Sequence, residues 1–567
     1  MTEEIKNKIT SWRNFEGLEP SLRKELESLT EEKLVDAFYT DLAFGTGGLR
    51  GVMGVGTNRM NIYVIQKATY GFYLYMKEHF DNLETRGVVI SYDCRHHSFD
   101  FAKAAAAVLG AAGVKVYLFS SLRPTPELSF AVRYLKCAGG IMVTASHNPP
   151  EYNGYKVYDS EGCQLVPELA DEVIVKIEGI EDLFSIKTAD FETLAANGTI
   201  KMIDEIVDKP YLDMVKTVKV QDVPKNNIKI VFTPLHGTAS VHLVKLLREE
   251  GYDVTPVASQ MIPDGSFSTV KSPNPEEASA FKCALELGKE VKADVLIATD
   301  PDADRMGIAA INPKTNEYQL LTGNQTGAIL LDYLVKYRPH GDNAYVFNTI
   351  VTSNIAKAIC DKNNLHLVQT LTGFKFIGEQ AHLLELSGGE FFFGYEESYG
   401  YVIKDFVRDK DSFQASLLLA EVASFYKTQN KTLIEVLHDI YKEYGFHQEG
   451  VQNIYLKGIE GSERIERIMR YFQSLKITEI AGKSINTIED YDKGLRYQKG
   501  KTSAITLPKS LVLKYIFEDG GWFVLRPSGT EPKLKIYIAI VAKDEKEAST
   551  FIERLKGIID ALIGEVK

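Results

Sequence analysis

Short β-branched runs alternate with longer stretches of helical periodicity along most of the chain. The run Gly87-Val-Val-Ile-Ser-Tyr-Asp93 predicts a buried strand, the Ala-rich stretch 99–112 a helix, and 114–119 a second strand, which together make a βαβ pattern. A helix near 126–135 leads to a short strand, Gly140-Ile-Met-Val-Thr144, which runs straight into a polar loop, 145–153. The cycle restarts after Pro224 with strand 228–232, helix 240–250, strand 252–257, helix 276–291 and the apolar strand 293–299, again ending in a polar loop. A third cycle predicts helix 326–337, strand 344–350, helix 354–363, strand 365–370, helix 376–384 and strand 390–395, with further helices from Ser412. Loops that follow strands of this kind are where α/β sheets place ligands.

The tail differs. Strands at 511–517, 522–525 and 534–541 precede an amphipathic helix, 545–563, which is the order of an α+β domain. The fold class read from this pattern is α/β: three related α/β domains at 1–205, 206–322 and 323–448, then an α+β domain at 449–567. Three similar units in series suggest internal duplication.

Composition narrows the functional classes. Lys+Arg 65 against Asp+Glu 77 leaves a net charge of −12 over 567 residues, which disfavours a nucleic-acid or anionic-membrane binder. The longest apolar uncharged stretch, 104–114, is far shorter than the roughly 20 residues a membrane-spanning helix needs. Residues 1–15 mix acids and bases without an apolar core, so no secretory signal is expected and the expected location is cytoplasmic. The 5 cysteines are scattered singly with no CxxC pair, as in a reducing compartment, and none is assigned chemistry.

Four loops carry chemistry. In Asp300-Pro-Asp-Ala-Asp-Arg305, carboxylates at alternate positions directly after an apolar strand can turn three oxygens toward one point, and a hard divalent cation is the natural occupant. Three such carboxylates without a cation would repel one another and their pKa values would rise. An EF-hand is excluded, because its loop wants Gly sixth and Glu twelfth, where Arg305 and Ile311 stand. Mg²⁺ takes few protein ligands and prefers phosphate oxygens for the rest, so the loop reads as a site for a metal-bound phosphoryl group.

The second loop, Thr144-Ala-Ser-His-Asn-Pro-Pro-Glu-Tyr-Asn-Gly-Tyr-Lys156, offers Ser146 as a nucleophile that needs a base or a metal to activate it. No GxSxG elbow accompanies it, so acyl transfer is disfavoured. The third, Gly394-Tyr-Glu-Glu-Ser-Tyr-Gly-Tyr401, sets carboxylates and a hydroxyl among tyrosines, which suits sugar hydroxyls, and Arg408-Asp-Lys-Asp411 follows it closely. The fourth, Arg526-Pro-Ser-Gly-Thr-Glu-Pro-Lys533, provides a fork donor, two hydroxyls and a glycine, and reads as a phosphate cradle. It is not a P-loop, since GxxxxGK[ST] occurs nowhere.

In this order the four loops resemble the α-D-phosphohexomutase superfamily. The resemblance runs from Phe44-Gly-Thr-Gly-Gly-Leu-Arg-Gly51 to the RPSGTEP loop, with all four motifs intact and the length of its longer, phosphoglucomutase-like branch. It implies four domains around a central active-site cleft and a resting enzyme with phosphate on Ser146, the Mg²⁺ being held by that phosphate and Asp300, Asp302 and Asp304. Stored phosphate passes to a sugar phosphate, and the resulting bisphosphate returns its other phosphate to Ser146.

The expected reaction is glucose 1-phosphate to glucose 6-phosphate, with glucose 1,6-bisphosphate as catalytic activator. Phosphomannomutase, phosphopentomutase or glucose-1,6-bisphosphate synthase activity are the alternatives. By the same resemblance Lys156 and Lys410 are the acid and base, on opposite faces of the cleft and with pKa lowered by burial and neighbouring cations. His147 and Arg305 touch the transferring phosphoryl group. Glu396 and Ser398 hold sugar hydroxyls, and Arg526, Ser528, Gly529 and Thr530 hold the other phosphate, with Arg50 and Lys375 as secondary ligands. The expected partners are small sugar phosphates, with no nucleic acid and no membrane. A metal-dependent phosphatase or kinase needs the Asp cluster but not a distant second anion loop, and a non-catalytic phosphosugar binder needs the anion loop but not Ser146, Lys156 and the three aspartates together.

Overall fold

The computed structural model describes residues 1–45, 47–456, 458–475, 477–528 and 533–566, and within the helix Gly458–Ser474 it leaves the side chains of 458 and 459 aside. The chain forms two compact units, Met1–Gly323 with Phe374–Thr432, and Asn324–Gly373 with Leu433–Lys567.

The first unit holds two mixed sheets. In the first, the strand order is Leu49–Val52, Tyr152–Tyr158, Gly139–Val143, Val88–Tyr92, Val116–Phe119 and Ile200–Ile203. The four strands from Gly139–Val143 onward run parallel, as the βαβ pattern predicts, and the first two are antiparallel additions. Helices Ile62–His79 and Ser98–Ala111 bury their apolar faces against it. Asn61 starts the first of these by accepting the Val64 amide at 3.1 Å.

The second sheet has the order Glu317–Leu321, Met306–Asn312, Val295–Thr299, Lys229–Thr233 and Asp253–Pro256. Its fully buried strand Val295–Thr299 is parallel to Lys229–Thr233 and antiparallel to Met306–Asn312, so the Asp loop is the hairpin between the latter and itself. The predicted helix 276–291 is shorter than expected, spanning Lys282–Val291. A turn through Glu277 and a short 3-10 helix, Ala278–Phe281, take the place of its expected first residues.

The first unit also contains the antiparallel pair Glu390–Glu396 and Gly400–Val402, and the buried helix Ser412–Lys427. Three N-terminal helices, Glu3–Asn14, Pro20–Ser28 and Glu31–Phe38, form a small core around Trp12. They were not expected, because their apolar positions are sparse among charges.

The second unit contains the parallel pair Ala344–Thr349 and His366–Thr370. It also contains an antiparallel sheet ordered Phe446–Tyr455, Lys533–Ala542, Trp522–Pro527, Leu513–Phe517, Lys483–Asp490, Leu495–Gln498 and Lys501–Ala504. Helices Gly458–Ser474 and Glu545–Gly564 cover one face with Ile465, Phe472, Leu555 and Ile559. The expected tail strands and helix are present. The outer strands were missed because at least one of their faces is polar and half-exposed.

Candidate active site

The strand Val295–Thr299 ends in Asp300, and the backbone turns so that Asp300, Asp302 and Asp304 place carboxylate oxygens within 4.8 Å of one another, all buried. Ala303, between the last two, takes a left-handed conformation (φ 53°) that makes the turn tight. Arg305 donates its amide to Asp300 Oδ1 at 3.0 Å. Asp302 Oδ2 accepts the Thr125 hydroxyl at 2.9 Å and Lys156 Nζ at 3.0 Å. Lys410 Nζ lies 3.1 Å from Asp304 Oδ2, and Lys156 Nζ 3.8 Å from the same oxygen.

The electrostatics of the trio are those of a cation cradle. Burial and then the charges of Asp304 and Asp302 push the Asp300 carboxyl well above the usual carboxylate range. Asp302 moves the other way: despite its burial, Lys156 and hydrogen bonds from Asp300 and Lys156 hold it low. Asp302 Oδ1 and Asp304 Oδ1 are buried and accept no hydrogen bond. Hard anionic oxygens, convergent and partly unsatisfied, fit a hard divalent cation.

The serine loop leaves the strand Gly139–Val143 through Thr144. Ser146 has φ 51°, is buried, and donates its amide to Thr144 Oγ1 at 2.8 Å. Such a conformation costs a non-glycine residue roughly 1–2 kcal/mol and persists where the surroundings fix it. Ser146 Oγ donates to Asp300 Oδ2 at 2.8 Å and lies 3.2 Å from His147 Nδ1. Burial, then Arg305 and Arg50, hold the His147 imidazole well below its ordinary pKa.

Lys156 arrives by β register. The strand Tyr152–Tyr158 returns antiparallel to Gly139–Val143 with Met142 opposite Lys156, which brings the ammonium back beside the loop. The neighbouring strand puts Arg50 opposite Gly154, and Arg50 donates to Asn148 Oδ1 at 3.1 Å. Gly154 is required there, since a Cβ would lie 2.3 Å from Thr144 O.

The third loop joins the same centre. Arg305 bridges to Gly400, and Met306 donates its amide to Tyr399 O at 3.0 Å, so the turn Glu397-Ser398-Tyr399 lies against the Asp loop. Glu396 is buried at the end of its strand, and Ser398 is half-buried in the turn. Arg305 pairs with Glu276 and lies 3.8 Å from Asp304 Oδ1.

Lys410 passes over Gly400 so closely that a Cβ there would sit 2.0 Å from its Cδ. Its surroundings correct an expectation: burial works against the ammonium, but Asp304, Asp409 and Glu396 prevail and raise its pKa. The lysine therefore lies among carboxylates rather than cations. It also shares one oxygen, Asp304 Oδ2, with Lys156. Lys375 is half-buried in the first turn of the helix Phe374–Ser387, 5.4 Å above the Phe376 ring.

In the second unit, Arg526 near the end of the strand Trp522–Pro527 donates to Tyr537 Oη at 3.4 Å, and Ser528 donates its amide to Lys533 O at 2.7 Å. Gly529 and Thr530 lie outside the described residues. Sequence reasoning missed Thr125, Glu276, Asp409, Asp93 and Arg95. The signal for Thr125 was the Arg123-Pro-Thr-Pro-Glu127 turn that opens a helix after a strand, the position where ligand-facing groups gather.

Comparison with known proteins gives consistent matches. The profiles of the phosphoglucomutase/phosphomannomutase alpha/beta/alpha domains I, II and III match residues 41–183, 209–312 and 322–444. The profile of its C-terminal domain matches 493–555. A phosphoglucomutase of Staphylococcus epidermidis is 38% identical over 528 residues, covering 92% of this chain and 95% of the relative. One of Staphylococcus aureus is 39% identical over 513 residues, covering 90% and 91%. Among solved structures, a phosphoglucomutase/phosphomannomutase family protein from Burkholderia thailandensis shares the fold with TM-score 0.66 at 17% identity, covering 92% of this chain and 98% of its own. The exocytosis-sensitive phosphoprotein pp63/parafusin of Paramecium does so with TM-score 0.67 at 18% identity, covering 93% and 96%.

Proposed function

The chain belongs to the phosphoglucomutase/phosphomannomutase family, and from that membership we propose that it interconverts α-D-glucose 1-phosphate and glucose 6-phosphate through a phosphoserine enzyme and glucose 1,6-bisphosphate. The observation that carries this reading is the 2.8 Å contact of Ser146 Oγ with Asp300 Oδ2, which sets a hydroxyl against three buried carboxylates. Asp300, Asp302 and Asp304, with the phosphorylated Ser146, would hold a Mg²⁺ ion. When bound, the ion offsets the charge of the phosphoryl group and of the oxygen it leaves.

The chain's own residues do the rest. Arg305 and His147 bind the phosphoryl group on Ser146, and Glu396 and Ser398 orient the sugar so that its free hydroxyl faces the phosphorus. As the new P–O bond forms, the bond from phosphorus to Ser146 Oγ breaks, the hydroxyl gives up its proton, and Ser146 Oγ gains one. Of Lys156 and Lys410, one takes the hydroxyl's proton and the other gives a proton to Ser146 Oγ, and the products are glucose 1,6-bisphosphate and free serine. The bisphosphate then turns around and the same steps run in reverse with its other phosphate. Arg526, Ser528, Gly529 and Thr530 hold whichever phosphate is not in transfer, and Arg50 and Lys375 are secondary substrate ligands. A supply of glucose 1,6-bisphosphate restores any enzyme that loses its phosphate, so it acts as an activator.

The described residues contain no helix long and apolar enough to cross a membrane, and all five cysteines are free. This supports placing the enzyme in a reducing, cytoplasmic setting. The test combines a coupled assay on glucose, mannose and ribose 1-phosphates, with catalytic bisphosphate, and the intact mass of freshly purified protein. Preference for the glucose ester and a species one phosphoryl group heavier, located on Ser146 and lost in Ser146→Ala, are expected. Phosphate found elsewhere, or near-normal turnover in Ser146→Ala, sinks the phosphoserine; preference for another ester sinks the glucose assignment.

A further inference from the structure

Ser146 is fixed through its backbone on both sides, and both fixings trace to one short segment, Asp93–Arg95. On the amino side, Asp93 Oδ2 accepts the Thr144 hydroxyl at 2.7 Å, and Thr144 Oγ1 in turn accepts the Ser146 amide at 2.8 Å. On the carbonyl side, the buried Arg95 guanidinium donates to four loop carbonyls. Nη2 reaches Ser146 O at 2.6 Å and Asn148 O at 2.5 Å, and Nη1 reaches Pro149 O at 2.8 Å and Tyr152 O at 3.0 Å. Its Nε lies 3.3 Å from Asp93 Oδ2 but is not aligned for a hydrogen bond. One planar guanidinium thus meets four carbonyls of the loop in a single fork.

The guanidinium is itself braced from the second sheet's side. It lies 5.0 Å from the centroid of the Phe267 ring, a buried residue held at φ 47° in the turn 264–268. Asp264 ties that turn by accepting the Ser266 and Ser268 amides at 2.8 and 3.0 Å, and Ser266 Oγ lies 2.9 Å from His96 Nε2. Gly265 lets the turn come this close, since a Cβ would stand 2.6 Å from His96 N. The polypeptide that carries the three aspartates thus also supplies the platform under the arginine that holds the serine.

We propose that Arg95, with the Phe267 ring over its guanidinium, is a positioning residue that sets Ser146 Oγ against the Asp300 carboxylate, so that the turn 264–268 keeps serine loop and Asp loop in register. This rests on the phosphoserine reading of Ser146. It assigns to Arg95 and Phe267 no contact with substrate. A lysine at 95 would keep the charge but supply fewer donors from a single point, so the loop carbonyls would lose partners and the hydroxyl would drift.

The test measures turnover, KM and amide hydrogen exchange on purified Arg95→Lys, Phe267→Ala and Phe267→Leu. Arg95→Lys should lose about 100-fold in kcat, the scale on which misplacement of a reacting group is felt, with KM for glucose 1-phosphate nearly unchanged. Amides of residues 145–152 should exchange faster while the strands Val88–Tyr92 and Val116–Phe119 keep their protection. Phe267→Ala should reproduce the pattern more weakly and Phe267→Leu should recover most of it.

Near-normal kcat and loop protection in folded Arg95→Lys overturn the proposal. So does exchange that rises uniformly across the first sheet, since that marks a merely structural residue. Should Arg95→Lys fail to fold, the phenylalanine pair decides: equal activity and loop protection in the alanine and leucine variants overturn it. Loop exchange reports the clamp even if the wild-type protein proves to have no mutase activity, so the two failures are distinguishable.

Discussion

Lys156 and Lys410 reach the same oxygen, Asp304 Oδ2, at 3.8 and 3.1 Å. The two ammonium groups come from a strand of the first sheet and from the segment just before the helix Ser412–Lys427. Two cations therefore compete with any divalent ion for one carboxylate. Removing one should have opposite effects on metal and on catalysis. Lys410→Met should bind Mg²⁺ about tenfold more tightly, because a unit charge at this distance is worth several kcal/mol at a protein-like dielectric and most of it is screened. Turnover should fall by about 10² to 10⁴, the range for loss of a proton-transfer group. Calorimetric titration with Mg²⁺ beside steady-state assay checks both, and weaker metal binding would show that Lys410 supports the site rather than competing in it.

Despite its burial, Asp302 is held in the ionised form by Lys156 at 3.0 Å, and it also accepts the Thr125 hydroxyl at 2.9 Å. Asp302→Asn keeps the shape and removes the charge. It should weaken Mg²⁺ and cut turnover by orders of magnitude, and chelation of the wild-type enzyme should do the same. Full activity in excess chelator, measured after the protein is freed of divalent ions, is the outcome that removes the metal from the reaction.

What the sequence made legible follows from range. The loops after the strands ending near Thr144 and Thr299 could be read because a β-branched run and the polar segment behind it are contiguous, and the aspartates at alternate positions carry their own geometry. That Lys156 meets Asp302 could not be read, because it depends on the register that sets Met142 opposite Lys156 and on a contact spanning 146 residues. Arg95 was invisible for the same reason: its partners lie 51 to 57 residues on, and nothing local distinguishes a buried arginine from a solvated one. The lowered lysine pKa expected from family likeness failed at Lys410 because Asp304 and Glu396, distant in the linear order, join its neighbour Asp409 around the ammonium and outweigh burial and Arg305.

Lys514 makes the second unit's stability depend on alkaline pH. Its ammonium is buried, donates to Ile350 O at 2.7 Å and lies 4.8 Å from the Trp522 ring. Burial, opposed by Glu489, lowers its pKa from 10.5 to about 8. The folded state therefore binds fewer protons than the unfolded state between those values, and stability rises with pH across that window. The contribution is present above the unfolded pKa and is lost as pH falls through about 8, with a span of about 3 kcal/mol. Denaturant unfolding of wild type and Lys514→Met at pH 7.5 and 10.5 should give a difference that shifts by that amount in favour of the wild type at the higher pH. A difference that stays constant would place the Lys514 pKa at its ordinary value.

Arg526 separates a mutase from a phosphatase more sharply than any change at the serine. It stands near the end of the strand Trp522–Pro527, where its guanidinium donates to Tyr537 Oη over a long 3.4 Å, in a segment rich in hydroxyls. If it holds the phosphate that is not in transfer, its charge-assisted contact is used in both halves of the cycle, because each orientation of the bisphosphate puts one phosphate at Ser146 and the other at Arg526. Arg526→Ala should then cost about 2 to 4 kcal/mol of transition-state stabilisation, roughly 30- to 1000-fold in kcat/KM. The loss should be equal in the two directions, as a single contact used twice requires. Phosphate on Ser146 and Mg²⁺ affinity should be unaltered, since the variant leaves Asp300, Asp302 and Asp304 intact. A phosphatase needs no second phosphate site, and its single-phosphate chemistry would survive the substitution. Unchanged kcat/KM for glucose 1-phosphate would make Arg526 a residue of the strand end only, and hydrolysis retained while isomerisation is lost would reveal water taking the place of the sugar hydroxyl.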